Sequence, residues 1–191
     1  MIDSIPEYIV DAIEKMQKGQ NHLSLVSVCN AVDATAKKEY PQSPKIGERY
    51  VNFISDNMRI ITTAGFGVQT SDFRFRNIFK NVKGMEKFND DKDVSIKDLV
   101  YCVVRCGLIH SATLPKELSF HQGTSIKLEN QSLVIPISLV WGLVFAVVGA
   151  PSNTGNISGS NLSVKFPSEE LIQLDLLWGQ KAKIKDLLGV S

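Results

Sequence analysis

Apolar residues recur at helical spacing along the first third of the chain. Ile9, Ile13 and Met16 form a stripe within Ile5 to Lys18, with Ser4 as N-cap, Pro6 in the first turn and Gly19 as a stop. Leu25, Val28, Cys29, Val32 and Ala36 repeat the pattern over His22 to Glu39, and Pro41 ends it. Tyr50, Phe53 and Ile54 mark a third helix from about Ile46 to Asn57. The run Arg59-Ile60-Ile61-Thr62-Thr63 is β-branched and predicts extended structure, followed by a loop at Gly65 and Gly67. Asp72 is placed to cap a fourth helix, Phe73 to Lys83, broken at Gly84. Ser95-Ile96-Lys97-Asp98 opens a strong helix with a capping-box-like start, running to about Ala112.

After Pro115 the period changes. Ser125 to Leu128 alternates, Glu129 to Ser132 can turn, and Leu133-Val134-Ile135 returns, which predicts a β-hairpin. An apolar helix from about Ile137 to Val148 follows, then a Ser/Asn/Gly-rich loop from Pro151 to Gly159 and a short strand at Leu162 to Phe166. Pro167-Ser168-Glu169-Glu170 predicts the start of a last helix with Leu171, Leu174, Leu177 and Trp178 as its buried stripe. Gly179 separates a final turn or two at Ala182 to Leu188. The expectation is a mainly α protein: one helical-bundle domain over residues 1–191, with a β-hairpin insertion at about 118–136.

Composition narrows the class. The 191 residues are 43% hydrophobic and 21% charged, which argues against a disordered chain, a collagen-like repeat or a disulfide-dense scaffold. Lys+Arg number 21 against 20 Asp+Glu, a net charge of +1, so nucleic acid cannot be held by bulk charge and needs a local patch. The start, Met1 to Glu7, has no basic region before an apolar run and does not read as a secretory signal. Three cysteines without a CxxC read as reduced thiols, which points to the cytoplasm. Leu133 to Ala150 is uncharged over 18 residues, at the edge of spanning length. Pro136, Ser138 and Gly142 interrupt it, so a strand and a buried helix are expected, with membrane association the lesser alternative.

The informative segment is Ser95 to Ala112. Ile96, Leu99, Val100, Val103 and Gly107 share one helical face, and Tyr101, Leu108 and Ile109 make the other side apolar too. Beyond the first turn, Arg105 and His110 are the only ionisable side chains besides Tyr101 and the thiols. A charged Arg in such a helix is costly unless it is paired or serves a site. Five residues apart, the two point about 140° from each other on a regular helix. They converge if the helix loosens at Gly107, or if two copies meet across a two-fold axis to give a composite site.

Val104-Arg105-Cys106-Gly107-Leu108-Ile109-His110 resembles the Arg-x(4–6)-His signature of the HEPN superfamily. The element order is similar over most of the chain, while residue-level matching covers about a dozen positions of the Tyr101 to Ala112 stretch. The resemblance implies a helical bundle that dimerises and a metal-independent endoribonuclease with a toxin or phage-defence role. It implies His110 as general acid/base on the ribose 2′-hydroxyl and leaving oxygen, with Arg105 holding the scissile phosphate. It further implies RNA as substrate and an antitoxin or nucleotidyltransferase as partner. Cys106 stands where the family often carries a polar residue, and a non-catalytic HEPN-like binding or scaffold dimer is the alternative.

One basic stretch could guide RNA. Arg74, Arg76, Lys80, Lys83 and Lys87 face only Asp72 and Glu86, a local net charge of +3, with the last four sharing a helical face. A solvated lysine face is the competing reading. No metal or other cofactor is expected. Cys102, Cys106 and His110 form a stripe, yet one straight helix cannot wrap ligands about 12 Å apart around a single ion. His22 reads as a helix-start residue, His121 as a loop residue and Asp33 as a solvent-facing helix residue.

Overall fold

Local capping starts the fold. The Ser4 hydroxyl accepts the Glu7 N–H at 3.3 Å and the Glu7 carboxylate accepts the Ser4 N–H at 3.1 Å, so α1 (Ile5–Gln17) opens with a reciprocal capping box. The computed structural model describes residues 4–75, 93–101, 118–130, 132–165 and 171–190. Within them the protein is mainly helical, with small sheets. α2 (Asn21–Glu39) lies along α1, and the Ser24 hydroxyl donates to the Ala12 carbonyl across the seam at 2.7 Å. α3 (Ile46–Asp56) packs on α2 through buried Tyr50, Phe53 and Ile54. These three helices stand where the periodicity placed them.

The β-branched run is helical, not extended. α4 (Met58–Phe66) contains Arg59 to Thr63 and lies against α6 (Ser138–Gly149). β-Branched residues lose less than about 0.7 kcal/mol each in a helix. Burying Ile60 and Ile61 against α6 returns about 1.5–3 kcal/mol each, which decides the outcome. Gly65 therefore sits inside the helix, and only Gly67 ends it, as a left-handed cap with φ 66°.

The expected helix from Phe73 does not begin there. Residues Arg74–Phe75 form β1, antiparallel to β2 (Val94–Ser95), and the Phe73 carbonyl accepts the Ile96 N–H at 2.9 Å. The Phe73 ring meets Phe66 at 4.9 Å, and Asp72 pairs with Arg74 rather than capping N–H groups. Residues 76–83 of that expected helix lie outside the described residues. Ser95 does cap α5 (Ile96–Leu99), accepting the Asp98 N–H at 3.3 Å. Val100 continues in helical backbone.

The hairpin is present as β4 (Lys127–Glu129) and β5 (Ser132–Pro136), turning at Asn130 with φ 49°, a conformation Asn tolerates. A strand that the pattern did not suggest, β3 (Leu118–His121), pairs parallel with β5, so the order is β3-β5-β4. His121 is therefore a strand residue and not part of a loop. Strand β5 runs directly into α6, whose Leu139, Val140 and Gly142 to Gly149 are buried among α2, α4 and α7 (Lys181–Leu188). No helix among the described residues is long and apolar enough to cross a membrane.

The short strand expected at Leu162 to Phe166 is present as β6 (Ser163–Lys165). The start expected for the last helix, 167–170, lies outside the described residues. From Leu171 that helix is replaced by β7 (Leu171–Gln173), which pairs antiparallel with β6, and a 3-10 turn at Leu174–Leu176. Leu171 is 69% exposed rather than part of a buried stripe, whereas Leu174, Leu177 and Trp178 are buried. Asp175 explains why helix does not form here: its Oδ1 accepts the Ser158 N–H at 2.7 Å, the Ser158 hydroxyl at 2.6 Å and the Trp178 indole N–H at 3.1 Å. These bonds clasp the preceding loop onto the turn. Burial pushes the Asp175 carboxyl up, but the Ser158 and Trp178 bonds together outweigh it and hold it below its usual value. A lowered pKa adds stability above the unfolded value of about 3.9, and that stability is lost as pH falls through the folded value. Asp175→Asn is expected to destabilise the protein by about 1 kcal/mol at pH 7, a figure discounted for solvent exposure. Urea midpoints should show the gap narrowing as pH falls below about 4; a gap that does not narrow at all as the solution is acidified would make the effect one of shape, not charge.

Asn153 ties α2 to the end of α6. It is fully buried, its Nδ2 donates to Thr35 Oγ1 at 3.0 Å and to the Val147 carbonyl at 2.9 Å, and Lys38 Nζ donates to its Oδ1 at 3.4 Å. Asn153→Ala is expected to cost about 2–3 kcal/mol, since it removes two buried hydrogen bonds and opens a void. Chemical denaturation of the double variant with Thr35→Val should show less than the sum of the single losses. Strict additivity would mean that the two side chains act independently.

Candidate functional site

Of the seven residues singled out for catalysis or RNA binding, Arg74 is the one within the described residues. It lies on β1, exposed, with Nε 2.8 Å from Asp72 Oδ2. The Asp72 hydrogen bond and charge hold its guanidinium above its ordinary pKa. Arg74 thus meets a carboxylate of its own chain and sits on a strand, not within the helix expected from Phe73 to Lys83. Arg76, Lys80, Lys83 and Lys87 lie outside the described residues, as do Arg105, His110, Cys102 and Cys106.

The structure does place both flanks of the Arg105/His110 segment. On the near side, α5 leads to Tyr101, whose ring lies 5.8 Å from that of Tyr50 on α3. A Cβ at Gly47 would meet the Tyr101 hydroxyl oxygen at 2.5 Å, so the small residue on α3 makes room for the phenol. On the far side, buried Leu118 begins β3, and Phe120 packs against His22 with ring centroids 5.1 Å apart. The chain therefore enters the segment anchored on α3 and leaves it anchored on β5 and the start of α2.

The two described histidines have different settings. His121 Nδ1 accepts the Gly123 N–H at 2.9 Å, and Nε2 lies 2.6 Å from the Ser125 carbonyl. That network assigns the neutral tautomer with the proton on Nε2, a structural latch for the bend after β3. His22 is exposed on α2, as a helix-start residue should be, and Asp33 is half-buried on the same helix rather than open to solvent. Cys29 is buried on α2. Among the described residues no group of three His, Cys, Asp or Glu could hold a metal ion.

A cavity of about 500 Å³ lies between α1, α4, α6 and β6, lined among others by Gln17, Thr63, Trp141, Phe145, Ser163 and Lys165. Reading the chain for periodicity absorbed Trp141 and Phe145 into an apolar helix. The signal that could have separated them was their i, i+4 spacing, which puts two aromatic rings on one face.

The chain matches the family model Rv1289 over residues 4–191. Uncharacterized protein Rv1289 of Mycobacterium tuberculosis (strain ATCC 25618 / H37Rv) and Uncharacterized protein Mb1320 of Mycobacterium bovis are each 23% identical to it over 197 residues. Each alignment spans 100% of this chain and 90% of the relative. No solved structure matches the chain significantly. With nearly its whole length matched, the chain belongs to the Rv1289 family.

Proposed function

We propose that the chain is a metal-independent endoribonuclease of HEPN type, acting as a cytoplasmic homodimer in a toxin or phage-defence role. The observation that carries the proposal is the Val104 to His110 sequence, an Arg and a His five positions apart in a segment otherwise almost without charge. The mainly helical architecture is of the kind such a site needs. His110 takes the proton of a ribose 2′-hydroxyl, that oxygen attacks the adjacent phosphorus, and a protonated His110 returns a proton to the departing 5′-oxygen. The products are a 2′,3′-cyclic phosphate and a free 5′-hydroxyl. Arg105 presents a planar fork of donors to the phosphate oxygens as charge builds on them. Two copies supply the two Arg/His pairs, and an antitoxin or nucleotidyltransferase partner restrains the dimer. RNA follows Arg76, Lys80, Lys83 and Lys87, with Arg74 contributing less because Asp72 already engages it.

Cys106 favours a second reading, a non-catalytic dimer that binds a partner, because a thiol replaces the polar group usual beside the Arg. Incubating the purified chain with mixed RNAs in the presence of a chelator separates the two. Cleavage with cyclic-phosphate ends supports the nuclease; intact RNA with a stable dimer supports the second reading.

A further inference from the structure

A second cavity, of about 560 Å³, opens between the start of α1, the last turns of α2 and the loop after α6, toward the opposite end of α2 from His22. Its volume falls among small-molecule sites, which run from about 300 to 1,000 Å³. Part of the lining is apolar: Ile5 is buried, and Tyr8 and Ala34 are half-buried against the core. The charged part is of one sign. Lys37 and Lys38, both exposed, line the cavity, and no Asp or Glu does. Lys38 Nζ meets the neutral Asn153 Oδ1 at 3.4 Å, which leaves its charge in place. Glu39, next along α2, gives its Oε1 to the Ser152 N–H at 2.8 Å. Asn156 completes the lining from the loop. Its N–H donates to the Asn153 carbonyl at 3.1 Å, and Ser158 two residues on is held by Asp175, so the loop carries Asn156 between two fixed points. The Asn156 Nδ2 is covered and has no hydrogen-bond partner among the described residues. A covered donor without an acceptor is costly. A turn about the last side-chain bond, a soft torsion in Asn, would present Nδ2 to an acceptor in the cavity.

We propose that this cavity binds a small organic carboxylate with an apolar body. The carboxylate meets Lys37 and Lys38 and accepts the Asn156 Nδ2–H, while the body lies on Ile5, Tyr8 and Ala34. A phosphate ester is the poorer fit. Phosphate sites commonly use free N–H groups at a helix start or a guanidinium fork. Here Ser4 and Glu7 already close the amino end of α1, and no Arg lines the cavity. The site takes no part in the proposed RNA cleavage, and each reading stands or falls apart from the other.

The test is calorimetric titration of the full-length chain with hexanoate and with phenylacetate, beside their neutral amides and inorganic phosphate. The expected result is a dissociation constant below about 1 mM for at least one carboxylate, with its amide at least about tenfold weaker. At about ten times that constant the ligand should raise the melting temperature by about 2–5 °C. Lys37→Gln should weaken carboxylate binding by about fivefold or more. Ala34→Leu, which puts a branched side chain into the cavity, should abolish binding, and a melt of the unliganded variant checks that it folds. Lys37 is exposed, so its variant keeps the test decisive even where Ala34→Leu does not fold. No saturation by either carboxylate up to about 5 mM, an amide that binds as tightly as its acid, or unchanged affinity in Lys37→Gln would overturn the proposal. Phosphate binding as tightly as the carboxylates would overturn it as well.

Discussion

Gly142→Val is expected to leave little folded protein. A Cβ at residue 142 would stand 2.6 Å from the Ile61 carbonyl oxygen and 3.0 Å from the Ile61 Cα. Both are backbone atoms of a fully buried turn of α4, so neither can swing aside as a side-chain tip would. The reverse contact is also close: a Cβ at Gly65 would lie 3.2 Å from the Leu139 Cα. The Ser138 hydroxyl donates to the Gly65 carbonyl at 2.6 Å, pinning the same seam. In an unconstrained helix, replacing Gly by Ala gains about 1 kcal/mol from backbone entropy. Here the sign reverses. Gly142→Ala should lose about 2–3 kcal/mol despite that gain, and Gly142→Val about 4 kcal/mol or more, a large part of a typical domain's stability. Thermal melts of these variants beside Gly67→Ala supply the comparison. Gly67 has open space around it and a left-handed φ of 66°, so its cost should stay near 1 kcal/mol. If Gly142→Ala melts at or above the parent temperature, the α4–α6 contact is looser than described.

Arg105→Ala and His110→Ala are each expected to lower RNA cleavage by about 100-fold or more. Loss of a general acid/base costs on the order of 10²–10⁴ in rate, and loss of a group that stabilises transition-state charge about 10²–10³. In the proposed mechanism the two groups act in one step, so the double variant should be little worse than the poorer single one. Arg105→Lys should recover only part of the activity, because an ammonium keeps the charge and loses the bidentate fork. Multiplying losses in the double variant would separate the roles. Full activity in either alanine variant would remove that residue from the chemistry. Circular dichroism of each variant guards against a folding defect, since an apolar segment that carries an arginine is sensitive to its removal.

What could be read from the residues depended on how local the determining force was. Ser4, Pro6 and Ser95 act within one helical turn, so the starts of α1 and α5 were legible. The hairpin was legible because its turn and its alternation lie within a dozen residues. Arg59 to Thr63 was misread because α6, the element that makes those residues helical, comes some 75 positions later. β3 was missed for the same reason: Leu118 to His121 becomes a strand only beside β5. Leu171 was misplaced because the Asp175 bonds to Ser158 draw the chain into a turn from across a loop. At the candidate site, Arg105 and His110 were singled out as residue types at a spacing, and both lie outside the described residues. The Trp141 cavity needs α1, α4, α6 and β6 together, so no single stretch announces it.

The place of α6 has a consequence for synthesis. α2, α4 and α7 all rest on this one helix, yet it is made after more than two-thirds of the chain. The about 80 residues between the end of α4 and the end of α6 take on the order of 4–16 s to translate at about 5–20 residues per second. For that interval Ile60, Ile61 and their neighbours on α4 lack their main apolar partner surface, and the Gly65 and Gly142 seam has only one side. The nascent chain therefore meets the ribosome surface and its chaperones with its future core exposed, and the emergence of α6 is the event that closes it.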